Sequence, residues 1–134
     1  MIAEPVNGAA GVVLPPQHYY PRIQQILARY DILLVADEII TGFGRTGRMF
    51  GSQTVNMRPD AMTFAKGFSA AYVPVSAIAM APVIHEGLTL GSDKHGFFAH
   101  GSTFAGHPVG CAAALRTLEI IEERDLVAHV RTMA

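Results

Sequence analysis

The chain has 134 residues, of which 50% are hydrophobic and 16% are charged, and its net charge is −1. This length corresponds to one domain of ordinary size, and the high apolar content excludes a disordered chain. Ten basic residues stand against eleven acidic ones. The balance argues against nucleic-acid binding, because phosphate neutralisation requires a clustered basic excess.

Neither a membrane segment nor a leader is predicted. The longest apolar stretch, residues 72–84, contains prolines and is shorter than the roughly 20 residues that span a bilayer. No basic segment followed by an apolar one opens the chain, so the sequence predicts no signal peptide. The single cysteine, Cys111, cannot form an internal disulfide and indicates a reducing compartment, which we take to be the cytoplasm. Free cysteines are usually buried, so we expect Cys111 to lie in the core.

Segments with strand and helix patterns alternate along the chain. Apolar residues recur at helical spacing over residues 17–30, and unbroken apolar runs at 32–36, 61–65 and 76–80 predict short strands buried on both faces. Pro108 is well placed to open a helix that extends to about residue 123. Its predicted apolar side contains Val109, Ala112, Leu115 and Leu118. The alternation predicts an α/β fold with a mostly parallel sheet and flanking helices.

Charged residues follow two of the predicted strands. Asp37 and Glu38 come directly after the run 32–36, and Lys66 follows the run 61–65. Ligands of open parallel sheets bind beyond the carboxyl ends of the strands, so these residues are candidates for chemistry. Apolar neighbours would desolvate the Lys66 amine and favour its neutral, nucleophilic form. Alternatively, Lys66 reaches solvent or pairs with a carboxylate, and Asp37 only caps a turn.

Three other motifs carry less weight. Residues 42–47 match the dinucleotide pattern G-x-G-x-x-G, but no apolar helix follows directly, as that fingerprint requires. The six histidines show no metal-binding spacing, so no metal site is predicted. No serine lies in a G-x-S-x-G elbow, which argues against a serine hydrolase.

Several ordered motifs nevertheless resemble one family, the class III aminotransferases, which are pyridoxal 5′-phosphate (PLP) enzymes of fold type I. The matching segments are Glu4–Gly8, Ala36–Gly47, Pro59–Asp60, Phe64–Gly67 and His100–Pro108. The resemblance covers essentially the whole chain. It implies that residues 1–134 form part of the PLP-binding large domain, with an upstream segment and a small C-terminal domain outside them. The ends also look cut, because an apolar run opens the chain and a helical pattern without a cap closes it.

The resemblance implies a role for four residues. Lys66 would form the internal aldimine with PLP and, once the substrate has released it, would move a proton between the substrate Cα and C4′ of PLP. Asp37 would keep the pyridine nitrogen protonated. Ile39 would pack against the ring. Thr103 would bind the phosphate of PLP in the neighbouring subunit, which implies a homodimer with shared active sites. The family function is transamination between a small-molecule amino donor and a 2-oxo acid acceptor.

Two departures from the family pattern bear on substrate. Ile40 stands where many members have a glutamine that touches the cofactor, and the loop at residues 8–11 lacks the acid found in many glutamate-using members. Both favour the omega-transaminase branch, which uses an amine or ω-amino acid with pyruvate as acceptor. Two alternatives stay open: a catalytically inactive, truncated remnant of such an enzyme, and another class III PLP reaction such as an aminomutase.

Overall fold

The computed structural model describes all residues from 1 to 134 and contains one four-stranded sheet. The strands are β1 (Ile2–Ala3), β2 (Val35–Asp37), β3 (Ala61–Phe64) and β4 (Ala77–Met80). They lie side by side in chain order; β1, β2 and β3 are parallel, and β4 is antiparallel to β3. The predicted α/β fold with a mostly parallel sheet is confirmed.

Five helices and one 3-10 turn connect and flank the strands. The helices are α1 (Tyr19–Arg29), α2 (Gly51–Thr54), α3 (Pro82–His95), α4 (Pro108–Glu123) and α5 (Leu126–Met133), and the 3-10 turn is Lys66–Ser69. The helix predicted at 17–30 is α1, and the helix predicted to open at Pro108 is α4. None of the five has the combined length and apolarity that crossing a bilayer would take.

The core lies between α1 and one face of the sheet. Buried Tyr20 and Leu27 of α1 pack with Leu34, Ala36 and Met57 in one cluster. Tyr20 and Leu27 are two helical turns apart, so they share the face of α1 that meets the sheet. Side chains alternate along a strand, so the residues next to Ala36 in β2 point to the opposite face.

The first apolar run forms less strand than predicted. Residues Ile32 and Leu33 are 44% and 48% exposed, and β2 begins only at Val35. The backbone explains the difference: the Ile32 N–H donates to the Leu27 carbonyl at the end of α1, and the Leu34 N–H donates to Asp60 Oδ2 instead of joining the ladder. The expectation that this whole run is buried on both faces is therefore wrong.

Helix α4 buries a different side from the one predicted. Its buried residues are Gly110, Ala114 and Ile121, whereas Leu115 of the predicted apolar side is 59% exposed. On this side, a β-carbon built on Gly110 would lie at ordinary contact distance, 3.6 Å, from Val75. The expectation of a buried thiol is also wrong, because Cys111 follows Gly110 on the helix and is exposed.

Candidate active site

Asp37 is fixed at the carboxyl end of β2 by a local hydrogen bond. Its Oδ1 accepts the N–H of Ile39 at 3.0 Å, and both residues are half-buried. The neighbouring Glu38 N–H donates to the Thr63 carbonyl of β3 at 3.0 Å. The backbone on both sides of Asp37 is thus tied down, which limits the movement of its carboxylate.

Glu38 follows the same strand as Asp37, but its surroundings indicate a structural role. It is fully buried, and its carboxylate accepts three hydrogen bonds. The donors are the Thr41 hydroxyl at 2.6 Å, the Gly51 N–H at 2.9 Å and the Ser52 N–H at 2.7 Å. Glu38 therefore joins the two ends of the glycine-rich loop, and its carboxylate does not face a ligand.

The glycines of this loop serve packing. A β-carbon at Gly42 would lie 2.8 Å from the Glu38 carbonyl oxygen, and Gly44 and Gly47 have φ values of +97° and +76°. Helix α5 packs directly on the loop, where Arg131 Nη1 donates to the Gly47 carbonyl at 3.0 Å. The close approach at Gly42 and the left-handed backbone at Gly44 and Gly47 explain why glycines occupy these positions. The G-x-G-x-x-G spacing therefore does not require a bound nucleotide.

Lys66 opens the 3-10 turn in an unusual backbone conformation. Its φ is +47°, in the left-handed region that non-glycine residues rarely adopt, and its side chain is exposed. Of the two environments that the sequence left open for Lys66, the structure shows the solvent-exposed one. Ion pairs form only between Arg116 and the carboxylates of Glu119 and Glu123. Lys66 thus has no carboxylate partner.

Aromatic packing anchors the segment around Lys66. Phe64 and Phe68, two residues before and after the lysine, both contact Phe43 of the glycine-rich loop, with ring centroids 5.4 and 5.3 Å apart. Phe50 stacks on Phe64 at 5.5 Å. These four phenylalanines hold the turn of Lys66 against the loop that follows Asp37.

The far end of the turn is also held. Ser69 is buried, and its hydroxyl donates to the Val73 carbonyl at 2.8 Å. Between them, Ala70 and Ala71 have φ values of +50° and +62°. The Ser69 hydrogen bond fixes this irregular segment beside the lysine.

The four candidate site residues fall into two groups, Lys66 with the segment around Thr103 and Asp37 with Ile39. Lys66 lines an open cavity of about 1090 Å³ together with Ser102 and Phe104, the two neighbours of Thr103. Asp37 lines a separate cavity of about 540 Å³. Ile39 stands with Asp37 through their hydrogen bond. Thr103 itself is exposed in the connection between α3 and α4.

Strand register nevertheless brings the two charged groups to one edge of the sheet. Asp37 pairs with Thr63 across β2 and β3, and Lys66 follows Thr63 by three residues. An exposed amine and a carboxylate without a basic partner therefore stand at the carboxyl ends of adjacent parallel strands. No group of three or more histidine, cysteine or acidic side chains could hold a metal ion.

A family model described as aminotransferase class-III matches residues 1–134. The chain belongs to the class III aminotransferases. A probable gamma-aminobutyrate transaminase 2, mitochondrial, of Oryza sativa subsp. indica is 52% identical over 133 residues, which make up 99% of this chain and 27% of that relative. A gamma aminobutyrate transaminase 3, chloroplastic, of Solanum lycopersicum is 47% identical over 99% of this chain and 26% of its own length.

Solved transaminase structures share the fold. One described as a transaminase with L-ala has a TM-score of 0.92 and 52% identity, and the match covers 95% of this chain and 30% of that one. The omega transaminase from Pseudomonas jessenii in complex with PMP gives a TM-score of 0.94 and 49% identity over 96% of this chain and 28% of its own. The chain thus spans less than a third of the length of these relatives.

Sequence reasoning missed two features of the site. The four-phenylalanine cluster depends on long-range packing, which no local pattern reveals. Thr63 lies inside an apolar strand, and only the register shows that it faces the same side as Asp37. A hydroxyl within an otherwise apolar run was the one available signal.

Proposed function

We propose that this chain forms the cofactor-bearing part of a PLP-dependent aminotransferase. The observation that carries the proposal is the placement of Lys66 and Asp37 after adjacent parallel strands, with neither side chain engaged in an ion pair. Family membership supports it, because the matched relatives are transaminases. The reaction transfers an amino group from a small-molecule donor to a 2-oxo acid.

The residues present fit PLP chemically. The cofactor needs a free primary amine for its aldehyde and an acidic partner for its ring nitrogen. Lys66 offers an exposed amine, and the Asp37 carboxylate accepts one hydrogen bond, from the Ile39 N–H. Since a carboxylate can accept about four hydrogen bonds, Asp37 retains capacity for the ring nitrogen.

When bound, PLP supplies an electron-withdrawing ring that stabilises negative charge at the substrate Cα. Asp37 would hold the proton on the ring nitrogen, because a carboxylate favours the protonated form beside it. The Lys66 amine would remove a proton from the substrate Cα and deliver it to C4′ of the cofactor, the carbon on the other side of the amino nitrogen, acting as general base and then acid. The phenylalanine cluster would hold the turn from which this amine extends.

The remaining residues would complete cofactor binding. Ile39 would pack an apolar surface on the ring, next to the aspartate to which it is hydrogen-bonded. Thr103 would use its hydroxyl to bind the phosphate of the PLP held in the neighbouring subunit. A hydroxyl suits an anion that must be held without proton exchange. This assignment makes the active protein a homodimer with shared active sites.

Pyruvate is the proposed acceptor and an amine or ω-amino acid the proposed donor. The loop at residues 8–11 contains no carboxylate, and Ile40 is apolar. A similar structure is described with L-ala, and alanine is what pyruvate becomes on accepting an amino group. The plant relatives are named for 4-aminobutyrate, which carries its amine far from its carboxylate and so belongs to the same donor class.

The experiment compares acceptors with the full-length gene product and PLP. We expect amino transfer from 4-aminobutyrate or 1-phenylethylamine to pyruvate to exceed transfer to 2-oxoglutarate. A clear preference for 2-oxoglutarate would contradict the proposed acceptor. Isomerisation of the donor without conversion of any 2-oxo acid would instead support the aminomutase alternative.

A variant pair separates the chemistry from the fold. Asp37→Asn should abolish nearly all turnover, because a neutral amide does not retain the ring proton. Asp93→Asn, on exposed α3, should leave turnover unchanged. Absence of any activity in the wild-type protein would favour the inactive remnant.

A further inference from the structure

Thr63 contains the one buried side-chain polar atom in this chain that lacks a hydrogen-bond partner. A buried hydroxyl without a partner is costly, and native proteins rarely keep one without a reason. Valine has nearly the same shape and is equally suited to a strand. Strand formation therefore does not explain why this position carries a hydroxyl.

The register of the sheet places Thr63 beside Asp37. The two residues are paired across the parallel strands β2 and β3. Paired residues project to the same face, and neighbouring strands are about 4.8 Å apart. The preceding pair, Ala36 and Met62, belongs to the core under α1. Asp37 and Thr63 therefore share the opposite face of the sheet.

The Asp37 carboxylate has room for a second donor. Its Oδ1 accepts the Ile39 N–H, and no other side chain or backbone group donates to it. The backbone between the two strands is already fixed, because the Glu38 N–H donates to the Thr63 carbonyl. Rotation of the threonine side chain between staggered positions would redirect the hydroxyl without moving that backbone.

We propose that Thr63 is a positioning residue for Asp37, and that its hydroxyl donates to the carboxylate when the carboxylate holds the ring nitrogen of the cofactor. This inference rests on the proposed function. With the Ile39 N–H on one oxygen and Thr63 on the other, the plane of the carboxylate is held while it binds the ring nitrogen. A hydroxyl donor also favours the ionised carboxylate, which the ring nitrogen needs.

The test uses Thr63→Val and Thr63→Ser in the full-length gene product. Valine keeps the shape and removes the hydroxyl, whereas serine keeps the hydroxyl. We expect Thr63→Val to bind PLP about tenfold more weakly in a spectroscopic titration, the loss typical of one hydrogen bond to a charged group. Thr63→Ser should stay within about twofold of wild type by the same reasoning.

Two controls distinguish positioning from a structural role. The melting temperature of cofactor-free Thr63→Val should equal or exceed that of wild type, because an unpaired buried hydroxyl has been removed. In an Asp37→Asn background, Thr63→Val should weaken PLP binding no further, since the two groups act as a unit.

Several outcomes would overturn the inference. Unchanged PLP affinity in Thr63→Val would do so, as would an additive effect in the double variant or a lowered melting temperature in the cofactor-free protein. Failure of the wild-type protein to bind PLP at all would overturn the proposed function, and this inference with it.

Discussion

Gly8 and Ile40 are in direct contact. A β-carbon built on Gly8 would lie 2.8 Å from Ile40 Cδ1 and 3.0 Å from its Cγ2. These residues belong to the two places where the sequence departs from the family pattern, the loop after Glu4 and Pro5 and the segment after Glu38. The structure joins the two departures in one apolar contact, so a side chain at position 8 would force the Ile40 side chain to shift.

This contact predicts a coupled effect on stability. Gly8→Ala should lower the free energy of unfolding by about 1–3 kcal/mol, because added atoms in a packed site force neighbours to shift. In an Ile40→Ala background, the same substitution should cost close to nothing. Gly101→Ala, with no atom near its added β-carbon, is the matched control. Equal costs of Gly8→Ala in both backgrounds, measured by urea unfolding, would show that the contact does not couple them.

The buried Glu38 carboxylate should be essential to the glycine-rich loop. Glu38→Ala leaves the Gly51 and Ser52 N–H groups and the Thr41 hydroxyl without their acceptor, and should cost about 3 kcal/mol or more. Glu86→Ala, on the exposed surface of α3, should change the free energy of unfolding by less than about 0.5 kcal/mol. Similar unfolding midpoints for the two variants would contradict the loop-holding role.

Gly47 should tolerate no side chain, whereas Gly87 should accept one. Gly47 has a φ of +76°, and a β-carbon there would lie 2.9 Å from Arg131 Cγ. Gly47→Ala should therefore cost about 1–3 kcal/mol from backbone strain and crowding. Gly87 lies inside α3 with nothing near its added β-carbon, so Gly87→Ala should stabilise by about 0.5–1 kcal/mol. Thermal unfolding that shifts both variants in the same direction would contradict the assignment.

Tyr20 should contribute to loss of stability at alkaline pH. Burial, and then the nearby Tyr19 and Glu4, raise the pKa of its hydroxyl above 10.0. The stabilisation of the neutral hydroxyl is therefore fully present below about pH 10 and is lost as the pH rises through the raised pKa. Tyr20 also donates a hydrogen bond to the Glu4 carbonyl.

Substitution by phenylalanine separates these effects. Tyr20→Phe should cost about 1 kcal/mol at neutral pH from the lost hydrogen bond, and the variant should lose less stability than wild type between pH 9 and about 11.5. Tyr72→Phe, at an exposed position, is the control. Parallel pH profiles of urea unfolding for wild type and Tyr20→Phe would contradict the raised pKa.

Local patterns predicted the elements that have one strongly apolar side or a clear start. Helix α1 follows from its periodicity, and α4 starts at the predicted proline. Helix α3 was missed because it buries no residue and includes Gly87 and Gly91, so it shows no apolar stripe. The buried side of α4 differs from the predicted one because Gly110, which has no side chain and adds nothing to a hydrophobic periodicity, lies on it.

The candidate site likewise contains residues that the sequence indicates and a pairing that only the structure shows. Asp37 and Lys66 were found because each is a charged residue directly after an apolar run. The sequence leaves the environment of Lys66 open, since apolar neighbours in sequence do not by themselves bury a side chain, and the structure shows it exposed. The pairing of Thr63 with Asp37 required the strand register, and sequence periodicity does not contain it.

The attachment site of PLP tests the proposed role of Lys66 most directly. The protein is mixed with PLP and reduced with borohydride, and the labelled lysine is located by mass spectrometry. Lys66→Ala and Lys94→Ala form a matched pair, because these are the only two lysines in the sequence. We expect labelling of Lys66 that survives in Lys94→Ala and disappears in Lys66→Ala. Equal labelling of Lys94 and the amino terminus, or no labelling at all, would contradict the assignment of Lys66 as the cofactor-binding residue.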